Sequence, residues 1–275
     1  MSAIDKLERL ISNPCPMRLL TVKVISKLGL GNYSFRIMAG AVDRPEYGYC
    51  VYEAALLAKR LGYKEISVLE FGVAGGQGLL SLEKHSETIH KQLNIGITMY
   101  GFDTGEGLPE PEDYRDLPYH WKKGFYRMDQ EKLRNRLKYA KVVFGNVKKT
   151  VSAFFGEYNP PPVGAVSFDL DFYSSTVDAL RIFENDEKHF LPRVFCYFDD
   201  ITGNNIALYN DYTGVRLAIK EFNEAHADKK LTKAHYLLAR RVVQPWYHRI
   251  RIMHHFTHSR YSDFVSEKNQ QLPID

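Results

Sequence analysis

A chain of 275 residues that is 44% hydrophobic, 13% aromatic and 25% charged has the makeup of a globular protein, long enough to bury a sizeable core as one main domain with an appended segment. Lys and Arg total 37 against 33 Asp and Glu, a formal charge of only +4, and the cations are scattered apart from pairs such as Lys122-Lys123, Lys148-Lys149 and Arg240-Arg241, which argues against a nucleic-acid partner. Cys15, Cys50 and Cys196 show no CxxC spacing, which argues against a zinc cluster or disulfide framework, and no apolar run nears the about 20 residues of a membrane span; a cytoplasmic protein without a membrane partner is expected.

Taken in chain order, Ile4 to Leu30 carries apolar residues at helical spacing interrupted by Asn13-Pro14-Cys15-Pro16, which predicts two short helices across a break. A helix follows over Pro45–Leu61, with proline in its first turn and Tyr47, Val51, Ala54, Ala58 and Leu61 along one face. Residues 1–62 thus form an N-terminal helical extension, and 63–275 the main domain. From residue 66 short apolar runs alternate with amphipathic helices, the pattern of βαβ units in a mostly parallel sheet. Strands are expected at Ile66–Leu69, Thr98–Phe102, Val142–Phe144, Val163–Phe168 and Val194–Phe198, and helices over 78–93, 130–139, 176–188 and 213–227. Ala234–Val243 and His248–Phe256 have strand composition around a Gln-Pro-Trp turn, which predicts a C-terminal antiparallel hairpin closing the sheet.

The strongest chemical signal is Glu70-Phe71-Gly72-Val73-Ala74-Gly75-Gly76-Gln77-Gly78, between a strand and a helix. Glycines there let the backbone turn sharply and approach a ligand. A dinucleotide fingerprint would need glycine where the chain has Ala74 and Gln77, so that reading fails on spacing. What remains is an acid at the end of the first strand, a loose glycine cluster, and a second acid, Asp103, ending the second strand. A plain structural turn of an α/β fold is the competing account of this segment.

These residues resemble class I S-adenosylmethionine (SAM)-dependent methyltransferases, with their Rossmann-like fold, in which the first acid lies near the methionine end of SAM and the second holds the ribose hydroxyls. Gly101-Phe102-Asp103-Thr104-Gly105-Glu106-Gly107-Leu108-Pro109 is similar to the FDSFEGLP stretch of the macrocin O-methyltransferase (TylF-like) family. Asp169-Leu170-Asp171-Phe172-Tyr173-Ser174-Ser175-Thr176 resembles its D-x-D-x-Y-x-S-T motif, and Phe198-Asp199-Asp200 is a third match. Thr104-Gly105 in place of Ser-Phe departs from the pattern, and the first 40 residues and the region after Asp200 match nothing in it. The resemblance implies SAM contacts from Glu70, Gly72, Gly75, Gly76, Gly78, Asp103, Asn146 and Asp169. It also implies methyl transfer to a hydroxyl of a sugar or another small polar molecule, and it leaves a homo-oligomer open.

Asp169, Asp171, Asp199 and Asp200 fall at the C-terminal ends of adjacent strands, the edge where open α/β sheets bind ligands. Four crowded carboxylates repel unless neutralised, and Mg²⁺ is the natural counter-charge. The resemblance, shared with catechol-type O-methyltransferases, assigns the metal to Asp169, Asp199 and Asp200, with Asp171 as an alternative, and makes Asp169 and Asp199 the catalytic acids. Capping is the blander account: Ser175 with Asp178 resembles a capping box. Gly145-Asn146 is placed to pass the adenine, or is a turn. His120 and Trp121 fall in a long stretch, 105–128, which has the length of a lid. His254 and His258 share a face of the last strand, and Tyr47 and Tyr49 are expected to pack. The alternative function is a SAM- or metal-binding module of the same fold without methyl transfer.

Overall fold

The computed structural model describes residues 16–266; Cys15 and the first of the two expected N-terminal helices lie outside them. Three helices open the described chain: α1 (Pro16–Leu28), α2 (Tyr33–Ala39) and α3 (Pro45–Arg60). The alternation then runs β1 (Glu65–Phe71), α4 (Gln77–Leu93), β2 (Gly96–Asp103), α5 (Gln130–Arg136), β3 (Lys141–Phe144), α6 (Val147–Tyr158), β4 (Val163–Phe168), α7 (Tyr173–Leu180), β5 (Phe190–Phe198) and α8 (Gly214–Ala225). It closes with β6 (Lys229–Lys233), the single turn α9 (His235–Leu238) and β7 (Ile250–His255). Among these residues no helix is long and apolar enough to cross a membrane.

The seven strands form one sheet in the order β3-β2-β1-β4-β5-β7-β6. The first five are parallel, while β7 runs antiparallel to both β5 and β6. The expected antiparallel pair is therefore present, but its first strand is Lys229–Lys233 rather than 234–243, which instead forms α9 and a turn. The reason is burial. Only Leu231 of β6 turns into the core, and the lysines on either side of it suit an exposed sheet edge, so this strand carries almost no apolar signal.

Other helices also depart from expectation, among them α2 (Tyr33–Ala39), which falls between the expected elements. The segment expected over 176–188 begins earlier, at Tyr173, and ends at Leu180, where tighter turns at Arg181–Glu184 and Glu187–His189 take over. Ser175 and Asp178 do not cap it. The N-terminal groups of α7 are met from a distance by Asp116, whose carboxylate accepts from the Ser174 amide and hydroxyl, both at 2.8 Å; Asp178 instead faces Arg181 at 3.6 Å. Helix α6 was not expected at all. It buries Val151, Phe154 and Phe155 on one side while Lys148 and Lys149 stay outside.

Apolar clusters cover both faces of the sheet. On one face α3 and α4 bring Tyr47, Val51, Ala54, Leu79 and Leu82 onto Ile66 and Val68. On the other α6, α7 and α8 enclose Phe71, Phe168, Phe183, Val215 and Phe222. Within this second cluster a row of rings crosses four strands: Phe102 stacks on Phe71 at 4.6 Å, Phe71 on Phe168 at 5.4 Å, and Phe168 on Phe198 at 4.5 Å between centroids. The register pairs the same residues across β2, β1, β4 and β5. Strand side chains alternate between faces, so the next residue of each strand leaves the apolar row. Those residues are Asp103, Gly72, Asp169 and Asp199, one layer at the C-terminal edge of the sheet.

Candidate functional site

A cavity of about 480 Å³ opens above that layer. Its lining includes Gly72, Ala74, Asp103, Asn146 and Asp169 at the sheet edge, Asp171, Asp199 and Asp200 with Tyr209 and Arg249, and His120, Trp121 and Tyr126 from the 105–128 stretch. This volume suits a small ligand. Of the residues expected to hold SAM, Gly72, Asp103, Asn146 and Asp169 line the cavity. Glu70, Gly75, Gly76 and Gly78 lie outside its lining.

Glycine at position 72 is also required by the fold. Its φ is +85°, and a Cβ there would fall 1.7 Å from the carbonyl oxygen of Asp169. What a Cβ would meet is the backbone just past the end of β4, while Gly72 itself still lines the cavity. Gly78 is likewise internal, because a Cβ would fall 1.6 Å from the Glu70 carboxylate tucked beneath the start of α4. Glu70 itself accepts a hydrogen bond from the Tyr47 hydroxyl at 2.8 Å, and its other oxygen has no partner among the described residues. Burial, against the hydrogen bond from Tyr47, pushes its carboxyl up to about 7. Tyr47, expected as a packing residue, is fully buried and bonded to this acid.

Asp103 is tied to the glycine turn. One oxygen accepts from the amides of Val73 at 2.8 Å and Ala74 at 2.9 Å, and the other from the Gly105 amide at 2.6 Å. These two loop amides are spent on a carboxylate, which leaves an acidic rather than anion-binding surface and separates this turn from a pyrophosphate cradle. Asn146 caps α6 by accepting from the Lys148 amide at 3.0 Å while still lining the cavity, so the turn and ligand-wall readings coexist there.

The acids converge. Asp169, Asp199 and Asp200 each offer a carboxylate oxygen within 4.8 Å of the others; Asp171 lines the same cavity but stands outside this group. Asp171 instead has a left-handed backbone (φ 61°) and donates its amide to Asp200 at 3.1 Å. Burial and the neighbouring carboxylates of Asp199 and Asp200 hold Asp169 well above the usual carboxylate range. Burial and the same neighbours push Asp171 up to about 8, and burial and Asp199 push Asp200 up to about 6. Such groups call for a counter-cation.

Part of that counter-charge is Arg249, whose guanidinium meets Asp199 at 2.5 Å and the Tyr197 hydroxyl at 3.0 Å. Tyr197 also donates to Asp199, and Tyr209 donates to Asp200 at 3.0 Å. None of these three was expected. Arg249 follows a Pro-Trp-Tyr-His turn that matches no motif, and only an acid-free C-terminal segment beside four unmatched acids hinted at it. The histidines of the last strand lie outside the cavity lining. His254 meets the Tyr261 hydroxyl at 2.8 Å, and His258 lies beyond the strand, bonded to the Phe190 carbonyl at 3.2 Å. The 105–128 stretch is pinned at its middle: Asp116 is buried and Tyr119 donates to the Ala207 carbonyl at 2.6 Å, while His120, Trp121 and Tyr126 face the cavity.

No protein-family model matches the chain, and no curated protein matches it by sequence. Solved structures do. The calicheamicin methyltransferase CalS11 is 20% identical, covers 91% of this chain with 90% of its own, and superposes with a TM-score of 0.52. A ligand-free structure of CalS11, described as a TDP-rhamnose 3'-O-methyltransferase, is matched at 18% identity over 88% of this chain and 96% of that one, with a TM-score of 0.44. The O-methyltransferase NovP is 13% identical over 86% and 97%, with a TM-score of 0.49. The chain has the Rossmann-like class I methyltransferase fold, with its parallel sheet and antiparallel closing strands.

Proposed function

We propose that the chain is a SAM-dependent methyltransferase that transfers methyl to a hydroxyl of a sugar or another small polar molecule with the help of a divalent metal. The observation that carries this reading is one cavity with two acidic halves: Asp103 on the glycine turn, and the Asp169, Asp199, Asp200 group across the floor from it. SAM presents an ammonium, a sulfonium and a diol, which suit carboxylate acceptors, and the spent amides of Val73 and Ala74 fit such a ligand.

The residues present also fit a metal. Three carboxylate oxygens drawn from β4 and the turn after β5 converge, and they are an oxygen donor set of the kind Mg²⁺ takes. A bound divalent cation lowers the pKa of a coordinated hydroxyl and holds it in place. The protein's own part is orientation. Asp169, Asp199 and Asp200 would hold the ion. Arg249 and Tyr197 fix the Asp199 carboxylate, while Tyr209 and the Asp171 amide fix that of Asp200. Trp121, Tyr126 and His120 would wall the acceptor side from water. The test is calorimetric titration with SAM, with and without Mg²⁺, followed by acceptor screening on EDTA-treated protein with Mg²⁺ restored. Full activity without metal would overturn the metal part, and the absence of SAM binding would overturn the whole.

The ion pair of Arg249 with Asp199 favours a second reading, in which an internal cation replaces the metal and the fold serves as a SAM-binding module. Stoichiometric SAM binding indifferent to Mg²⁺, with no transfer to any acceptor, would support it.

A further inference from the structure

Between the acid pair and α8 the chain runs through residues 202–213 with little apolar anchorage. Ile206, Leu208 and Tyr212 are exposed, and Ala207 is the one buried residue of the segment. Polar contacts hold it instead. The Asn204 side-chain oxygen accepts from the Ile206 and Ala207 amides at 2.8 and 2.9 Å, and the Asn204 carbonyl from the Leu208 amide at 3.2 Å. Gly203 packs on the Tyr209 ring, which a Cβ would meet at 2.7 Å. A segment built this way opens more easily than the core does.

Its ties to the rest of the molecule fall on particular groups. Tyr209 donates to Asp200 at 3.0 Å, and Thr202 accepts at 3.2 Å from Nε of Arg249, the same guanidinium that meets Asp199. Tyr119 donates to the Ala207 carbonyl at 2.6 Å, and at the far end Arg216 of α8 holds Asp211. Tyr119 belongs to a turn over 117–121, in which the Leu117 carbonyl accepts from the His120 and Trp121 amides at 2.8 and 3.0 Å. His120 and Trp121 line the cavity. One polar path thus joins Asp200, through Tyr209, Ala207 and Tyr119, to a wall of the cavity. A hydrogen bond to a carboxylate is strong where the carboxylate is held in place. Whatever fixes the acid pair therefore fixes the acceptor of Tyr209, and a segment already ordered costs less to order again at its other end.

We propose that residues 202–213 form a strap coupling the acid pair to the cavity wall, so that a divalent cation on Asp199 and Asp200 orders the strap through Tyr209 and the 117–121 turn through Tyr119. The coupling rests on the metal reading of the site, and it makes the wall formed by His120 and Trp121 firm only once the acids are loaded. The test is amide hydrogen exchange of the full chain by mass spectrometry at one pH, with and without Mg²⁺, beside calorimetry of Mg²⁺ binding. Exchange in the strap and at His120 and Trp121 should slow by at least about fivefold, the low end of coupling between sites, while α6 stays unchanged. Tyr209→Phe should keep the binding heat and lose the slowing in both segments. Tyr119→Phe should keep the slowing in the strap and lose it at 117–121; Tyr119 is exposed, so this variant still decides if the first misfolds. Binding heat with no slowing at 117–121, slowing there that survives both substitutions, or equal slowing along the whole chain overturns the coupling and leaves the metal reading standing. No binding heat overturns both.

Discussion

Two carboxyls show how differently single residues carry this site. Glu70 ends up behind the cavity floor, sealed under α4 and held by Tyr47. Its folded pKa of about 7 lies above the ordinary carboxylate value of about 4.3, so the folded chain binds the extra proton. The resulting stability is complete below the unfolded value and is lost as pH rises through about 7. Glu70→Gln keeps an acceptor for Tyr47 without titrating, and its melting temperature should fall less than that of the wild type between pH 5 and 7. Parallel curves for the two proteins would place the source of the pH dependence elsewhere. Asp199 faces the cavity instead. Asp199→Asn should weaken Mn²⁺ or Mg²⁺ binding by more than about tenfold while leaving SAM affinity nearly unchanged, since Asp103 belongs to the other half of the floor. Calorimetry of each ligand separately reads both, and an equal loss of SAM affinity would refute the division. The identities of Asp103, Asp169, Asp199 and Asp200 were legible because each follows an apolar strand. Their layering also had a signal, a phenylalanine immediately before Gly72, Asp103, Asp169 and Asp199. Arg249 was not legible: its role comes from the sheet order, which sets β7 beside β5.

At the scale of elements, the strands buried on both faces were read within a few residues, with β4 matched at Val163–Phe168, because continuous apolar runs bounded by polar turns leave little freedom. Two of the misreadings share a cause. An edge strand such as β6 is written mostly in lysine, and the start of α7 is satisfied by Asp116, far away in sequence, so neither leaves a local mark. The glycine turn was legible as a turn, but its strictest residue serves the fold. A Cβ at Gly72 would collide with the Asp169 carbonyl, and the left-handed φ adds strain of about 1 kcal/mol or more. Gly72→Ala should therefore lower the melting temperature or prevent folding rather than act on SAM alone. A normal melting curve with lost SAM binding would return Gly72 to the ligand. Gly75, with open space around its Cα, should accept alanine with little change in stability.

On the scale of the whole molecule, the two halves of the cavity are joined through one sheet edge, so metal and pH must act together on stability. Without a cation, burial and mutual repulsion favour protons on Asp171, at about 8, and on Asp200, at about 6, and raise Asp169 as well. These groups stabilise the metal-free fold at low pH, and that contribution is lost as pH rises through about 6 to 8. A divalent cation binds the carboxylate forms and acts in the opposite sense, growing stronger over the same range. At a concentration one hundred times its dissociation constant it would contribute about 2.7 kcal/mol, or roughly 5 °C in melting temperature for a chain of this size. EDTA-treated protein should therefore melt at lower temperature at pH 8 than at pH 6, and added Mg²⁺ should raise the melting point more at pH 8. Arg249→Gln removes the fixed cation beside Asp199, so its metal-free form should melt lowest of all and gain most from Mg²⁺. A Mg²⁺ shift that is absent, or the same at both pH values in both proteins, would show that Arg249 and protons suffice to neutralise the acids and would remove the metal from the mechanism.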